Sequence, residues 1–273
     1  MKRRSFLEKT MILGAIPMVE RIAMGAQTPP LPTIDTGGWT PLFNGHNLDG
    51  WYTFLQTSGK NKDPRESVRV EEGMIHILGN NVTAEEAESG YVATHREFGD
   101  CRIRIEYKWG SKRFPPRSEQ KRDNGLLYHL VGPDHVWPSC VEFQIQESDT
   151  GDIIMLGGVR GTPGVPRAGL VAWPDQNTDL TAVPPPPGRG RENRVVKVSD
   201  FENLAGWNVA ELVMQGDKTA HIVNGRLVNS LFDIRQPDAR NPGQFIRLDR
   251  GKIALEVEWA EVWFRNIGFR SLA

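Results

Sequence analysis

Apolar residues in this chain recur at every second position and almost never at every third or fourth. That period belongs to the pleated strand, whose side chains point alternately to opposite faces. The only helix-like run, Thr83 to Glu88, is short. Strands are predicted at residues 68–78, 91–94, 101–109, 125–131, 140–147, 152–156, 207–215, 219–223, 226–228, 252–257 and 261–270. Asn224-Gly225 is a type I′ hairpin signal, and Glu71-Glu72-Gly73 marks a similar turn. Many strands with no helices to cover a parallel sheet predict an all-β protein: two antiparallel sheets packed as a sandwich.

Ser139-Cys140-Val141-Glu142-Phe143-Gln144-Ile145-Gln146-Glu147 is the most telling of these segments. Val141, Phe143 and Ile145 fall on one side and can enter a core. Glu142, Gln144 and Gln146 fall on the other, spaced by roughly 7 Å. An acid flanked by amides in a straight row suits an uncharged, hydroxyl-rich ligand. A solvated sheet face is the plain explanation of polar alternation, yet such faces favour Lys, Glu and Thr over amides beside one acid. His129 interrupts an apolar run in the preceding segment, Asn124 to Leu130. Arg104 and Glu106 share a polar strand face and could line the same groove, although an ion pair explains them more simply. Trp137, in the turn before the key strand, could reach a ligand.

The chain begins Met1-Lys2-Arg3-Arg4-Ser5-Phe6-Leu7-Glu8-Lys9, which matches a twin-arginine export signal. Met11 to Val19 is too short for a membrane span, which takes about 20 apolar residues. Cleavage near Ala26 would remove residues 1–26 and leave a soluble or tethered protein outside the cytoplasm, periplasmic or extracellular. Removing five basic and two acidic side chains moves the formal charge from −1 to −4. A mildly acidic chain gives no electrostatic reason to expect nucleic acid. Two cysteines make no disulfide framework. Cys101 and Cys140 are expected to point with the core residues as buried thiols or as a single bridge. Residues 157–194 are rich in Gly and Pro and read as one long loop of a single domain spanning residues 38–272.

Five local patterns resemble one family, in its order, across residues 39–270. They are Leu42-Phe43-Asn44-Gly45 with Leu48-Asp49-Gly50-Trp51; Asp123-Asn124-Gly125; Val141-Glu142-Phe143-Gln144-Ile145; His221-Ile222-Val223-Asn224-Gly225; and Phe264-Arg265-Asn266-Ile267. Together they resemble the 3-keto-disaccharide hydrolase domain. The resemblance implies a concanavalin A-like jelly roll with ligands on a concave sheet face. It also implies action on glycosides oxidised to a ketone at C3. The family's usual Arg at the end of the Asn-Gly strand is His129 here.

A 3-keto sugar needs a base for the C2 proton, a donor for the C3 oxygen and an acid for the leaving group. Glu142 and His129 are the candidates for proton transfer, as titratable groups on adjacent strands, and His221, on a hairpin of its own and on the opposite side from Ala220 and Ile222, is the third. Gln144, Gln146, Arg104, Glu106, Asn124 and Trp137 are the candidates for holding substrate. Glu142, His129 and His221 also have ligand types suited to a divalent metal, although no tight ligand motif is present. A retaining glucanase wants a second carboxylate on the same strand, where Gln144 and Gln146 stand instead. A non-catalytic carbohydrate-binding module is the other alternative, with Trp51, Trp109, Trp137 and Trp207 as stacking surfaces.

Overall fold

A computed structural model describes residues 38–164 and 193–272. The export signal of residues 1–26 and most of the Gly/Pro-rich segment lie outside the described residues.

Among the described residues eighteen strands follow one another. They are β1 (Thr40–Pro41), β2 (Trp51–Leu55), β3 (Gly59–Lys60), β4 (Val68–Glu71), β5 (Met74–Ile77) and β6 (Gly90–Phe98). Next come β7 (Cys101–Arg113), β8 (Asp123–Val131), β9 (Ser139–Gln146), β10 (Ile153–Leu156), β11 (Arg160–Gly164) and β12 (Arg194–Val195). The last are β13 (Asn208–Gln215), β14 (Lys218–Val223), β15 (Arg226–Pro237), β16 (Phe245–Arg247), β17 (Gly251–Val257) and β18 (Ala260–Ser271). A ten-stranded sheet runs β11-β15-β14-β13-β7-β18-β5-β4, with β1 on β18 and β16 on β15. An eight-stranded sheet runs β12-β10-β9-β8-β17-β6-β2-β3. Both are antiparallel, as the turn chemistry requires: Asn224 and Gly225 have φ of 48° and 76°, and Glu72 and Gly73 have 52° and 76°. Two positive φ values in succession define the type I′ hairpin. Thr83 to Glu88 forms a turn, with no helix.

The core lies between the sheets. Leu126 and Tyr128 of β8 and Val141, Phe143 and Ile145 of β9 meet Ile103, Ile105 and Tyr107 of β7 and Ala210, Leu212 and Met214 of β13. All are wholly buried. Their alternate neighbours therefore turn outward. On the outer face of the eight-stranded sheet a second apolar cluster forms from Tyr52, Tyr91, Ala93, Leu127, Leu130, Cys140 and Ala254.

Two expectations are corrected here. Cys140 shares the parity of Glu142, so it lies in that outer cluster, while Cys101 enters the core. Both thiols are free, and the sheet separates them. The expected 157–194 loop contains strand β11, which pairs with β15 and forms the edge of the larger sheet. Gly161 makes the close approach feasible, since a methyl there would sit 2.6 Å from Leu231 Cγ. The free backbone of β15 gains hydrogen-bond partners that a loop would have denied it.

Candidate active site

Strand β9 sets Glu142, Gln144 and Gln146 in one row on the outer face of the eight-stranded sheet. They are only 5%, 4% and 9% exposed. In β8, Leu127, Gly125 and Asp123 stand opposite them in turn. On the far side of β8, β17 brings Glu256 level with Gly125, one step from the Leu255–Leu126 pair. Gly125 has no side chain, and the two glutamates close over it. A methyl there would lie 2.5 Å from Glu256 Oε2 and 2.9 Å from Glu142 Oε1. Asn124 fixes the arrangement from below, donating from Nδ2 to the Glu256 carbonyl at 2.6 Å.

Further acids surround this pair. Gln146 Nε2 donates to Asp123 Oδ2 at 2.5 Å. Arg117 pairs with Asp123 and with Glu258, its Nη1 lying 2.6 Å from Glu258 Oε1. Burial raises the Glu142 carboxyl well above the usual range, and the Glu258 and Asp123 charges add to the shift. Arg194 and Arg117 oppose it. Glu256 is raised by burial, then by Glu142. Glu258 is pushed up to about 7 and Asp123 to about 6, in both cases by burial first. Crowded acids with too few cations retain protons at neutral pH. The cluster can therefore present a protonated acid and a carboxylate base side by side. Glu256 Oε2 and Gln144 Oε1 are buried without a hydrogen-bond partner, so each has a lone pair open to a hydroxyl.

The histidines lie elsewhere. His221 of β14 is buried between the sheets with its ring stacked on Phe143 at 4.0 Å. Its Nδ1 is 3.1 Å from the Gly151 carbonyl, and its Nε2 is 3.1 Å from Tyr128 Oη. The carbonyl can only accept, so Nδ1 carries the proton and Nε2 accepts from the tyrosine. Burial lowers this ring to about 3 and keeps it neutral. His129 occupies a β-bulge at φ 50°. The bulge leaves Leu127 and Leu130 on the same outer face and turns His129 off it. Its two ring nitrogens are buried without partners, and burial lowers it to about 4. Neither histidine joins Glu142, and the three do not converge on one metal ion. Among the described residues no group of three or more His, Cys, Asp or Glu has metal-holding geometry.

Arg104 and Glu106 belong to the outer face of the other sheet. Glu106 Oε1 lies 3.3 Å from Arg104 Nη2, and its Oε2 lies 2.9 Å from Arg265 Nε. They form an ion-pair cluster on the other sheet from Glu142. Trp51 and Trp109 are buried in the core. Trp207 stacks on Arg265 at 3.8 Å. Trp137 is half-buried in the connection that leads into β9.

Sequence reasoning missed Glu256, Glu258, Asp123 and the role of Gly125. The signal was present in Leu255-Glu256-Val257-Glu258, where two acids share one strand face.

Residues 38–270 match the sequence profile of the 3-keto-alpha-glucoside-1,2-lyase-like domain. The chain belongs to this family. It is a carbohydrate-active β-sandwich, and the acid cluster on the outer sheet face is its candidate active site. The fold is also that of a Parabacteroides distasonis protein provisionally named a glycosyl hydrolase: 20% identity, TM-score 0.52, covering 89% of this chain and 99% of that one. A second such protein from the same organism has 18% identity and TM-score 0.50, covering 85% and 98%. No curated protein matches this chain.

Proposed function

We propose that this member of the family is an exported enzyme that cleaves 3-keto glycosides by elimination at C1. The observation that carries the reading is the meeting of Glu142 and Glu256 over Gly125. The C3 ketone acidifies the C2 proton. The ionised member of the pair takes that proton, and the electrons pass to the C3 oxygen as an enediolate. They return to form the C1–C2 double bond as the C1–O bond breaks. The protonated carboxyl supplies a proton to the departing oxygen, releasing the aglycone as an alcohol. Water then adds across the double bond. Gln144 and Gln146 hold sugar hydroxyls, and Gln144 Oε1 has an open acceptor site for one.

The same pair favours a second reading, direct hydrolysis of unoxidised glycosides. β9 carries no second acid beside Glu142, and Glu256 of β17 supplies one. Incubation of the purified protein with 3-keto glycosides and their unoxidised counterparts, with and without chelator, separates the two by mass analysis. Consumption of the ketone alone supports elimination. Consumption of the unoxidised glycoside supports hydrolysis. Binding of either without product leaves a carbohydrate-binding module.

Export rests on Arg3-Arg4 with Phe6-Leu7, and it places the enzyme in the periplasm or outside the cell. Among the described residues no helix is long and apolar enough to cross a membrane. Replacing both arginines with lysine is expected to retain the precursor in the cytoplasm; normal export of that variant would refute the assignment.

A further inference from the structure

The outer face of the eight-stranded sheet has a second polar centre, built around Asp134. Asp134 Oδ1 accepts from Tyr52 Oη at 2.6 Å and from Tyr91 Oη at 2.9 Å, and its Oδ2 accepts from Lys60 Nζ at 2.7 Å. The anchors belong to β2, β6 and β3. Asp134 itself lies in the connection 132–138, whose ends join β8 and β9. In the sheet, β17 and β6 stand between β8 and β2. With strands spaced about 4.8 Å apart, the connection must cross β17 to reach Tyr91 and Tyr52. It crosses on the side that bears Glu142, because Tyr52 and Tyr91 belong to the outer cluster.

This crossing has two consequences beside the acid cluster. Tyr91 is the cross-strand partner of Glu256, so the anchor point is one strand away from the acid pair. The floor between them is wholly buried at Leu127, Ala93 and Ala254. The small side chains of the two alanines leave room for the crossing chain. The connection therefore stands over the outer face on the β6 side of Gly125.

The Asp134 network has the properties of a fixed anchor. Burial comes first and opposes ionisation, but the Lys60, Tyr52 and Tyr91 hydrogen bonds outweigh it and hold the carboxyl below its usual range. Lys252 Nζ adds a hydrogen bond to Tyr52 Oη at 3.1 Å. Lys60 and Lys252 also lie over the Tyr52 ring, 3.9 Å and 4.8 Å from its centroid. A carboxylate that accepts three charge-assisted or phenolic bonds holds its loop more firmly than van der Waals packing would.

We propose that Asp134 is a positioning residue that fixes the connection 132–138 as the end wall of the substrate groove. It touches no reacting atom, so it governs how the substrate is held and leaves the proton transfers alone. The proposal rests on the functional reading above for the location of the groove. Kinetics on a 3-keto disaccharide with wild type, Asp134→Ala, Asp134→Asn and the double variant Tyr52→Phe with Tyr91→Phe test it. Asp134→Ala is expected to raise KM on the order of tenfold or more with kcat within about twofold. The tyrosine double variant, which removes only the two hydroxyl donors, should reproduce part of the KM increase. Asp134→Asn should fall between wild type and Asp134→Ala. A merely structural role would lower the melting temperature without moving KM, and that outcome would overturn the proposal. A fall in kcat at constant KM would overturn it as well. If wild type turns over no 3-keto glycoside, the elimination reading fails separately. Calorimetric titration with the intact disaccharide then decides the wall: weaker binding by Asp134→Ala supports it, and equal binding sinks it.

Discussion

The outer faces of the two sheets carry similar-looking polar rows with opposite electrostatic character. On β7 of the larger sheet, Arg104 and Glu106 alternate with core residues. Burial pushes Glu106 upward, but hydrogen bonds from Asn266 and Arg265 and the charges of Arg265 and Arg104 bring it below its ordinary value. On the smaller sheet, Glu142 of β9, Asp123 of β8, Glu256 of β17 and Glu258 just beyond it gather around Arg117, and all four are raised. Matched charges make a stable surface patch. Mismatched charges under burial make groups that can exchange protons near neutral pH. Alternation alone does not distinguish them; the balance of charge across three neighbouring strands does.

The sharpest way to break this comparison is Glu142→Gln. It keeps size and hydrogen bonding but removes a base, so turnover of a 3-keto glycoside is expected to fall on the order of 10²–10⁴, with binding affinity little changed in a titration. Wild-type turnover would remove Glu142 from the chemistry and leave Glu256 to be tested.

Gly125→Ala asks whether the two carboxylates must meet. The added methyl occupies the space they share. Misplacement of this kind costs up to about 10² in rate, while overpacking destabilises by about 1–3 kcal/mol. Unchanged kcat in a folded Gly125→Ala protein would show that the pair does not act together.

Glu258→Gln reads the charge mismatch as stability. The folded carboxyl titrates at about 7, against 4.5 for an ordinary glutamate. The folded state therefore holds more protons between those values, and stability falls as pH rises through them. Asp123, raised from 3.8 to about 6, acts with the same sign. The melting temperature of Glu258→Gln relative to wild type should rise between pH 4.5 and 7.5, by on the order of 5 °C. Taking the difference removes the opposite contribution of His129 and His221, whose lowered values cost stability as pH falls. A flat difference would mean that the Arg117 pairing already neutralises the cluster.

The smallest effect belongs to the other sheet. Glu106→Gln should cost no more than about 1 kcal/mol, as for other partly exposed ion pairs, and should leave kcat and KM unchanged. A loss of activity there would put a second functional centre on the larger sheet.

The sequence by itself determined the fold class and half of the site. Period-two alternation and the Asn224-Gly225 turn are local properties, and they required antiparallel sheets whatever the strand order. Parity alone set Glu142, Gln144 and Gln146 opposite Val141, Phe143 and Ile145. It also contradicted the core placement of Cys140, which shares the parity of Glu142. Tertiary structure decided everything that depends on strand order. β17 follows β9 by more than a hundred residues in the chain, yet the sheet sets it two strands away, and no local pattern announces that Glu256 will face Glu142. The histidines stand apart from Glu142 for the same reason. His129 lies at a bulge, where one extra residue reverses the side-chain parity. His221 does alternate with Ala220 and Ile222, but only the packing of β14 shows that its side faces the core. Side-chain direction along a strand is a short-range steric fact, whereas the company a side chain keeps is fixed by long-range pairing.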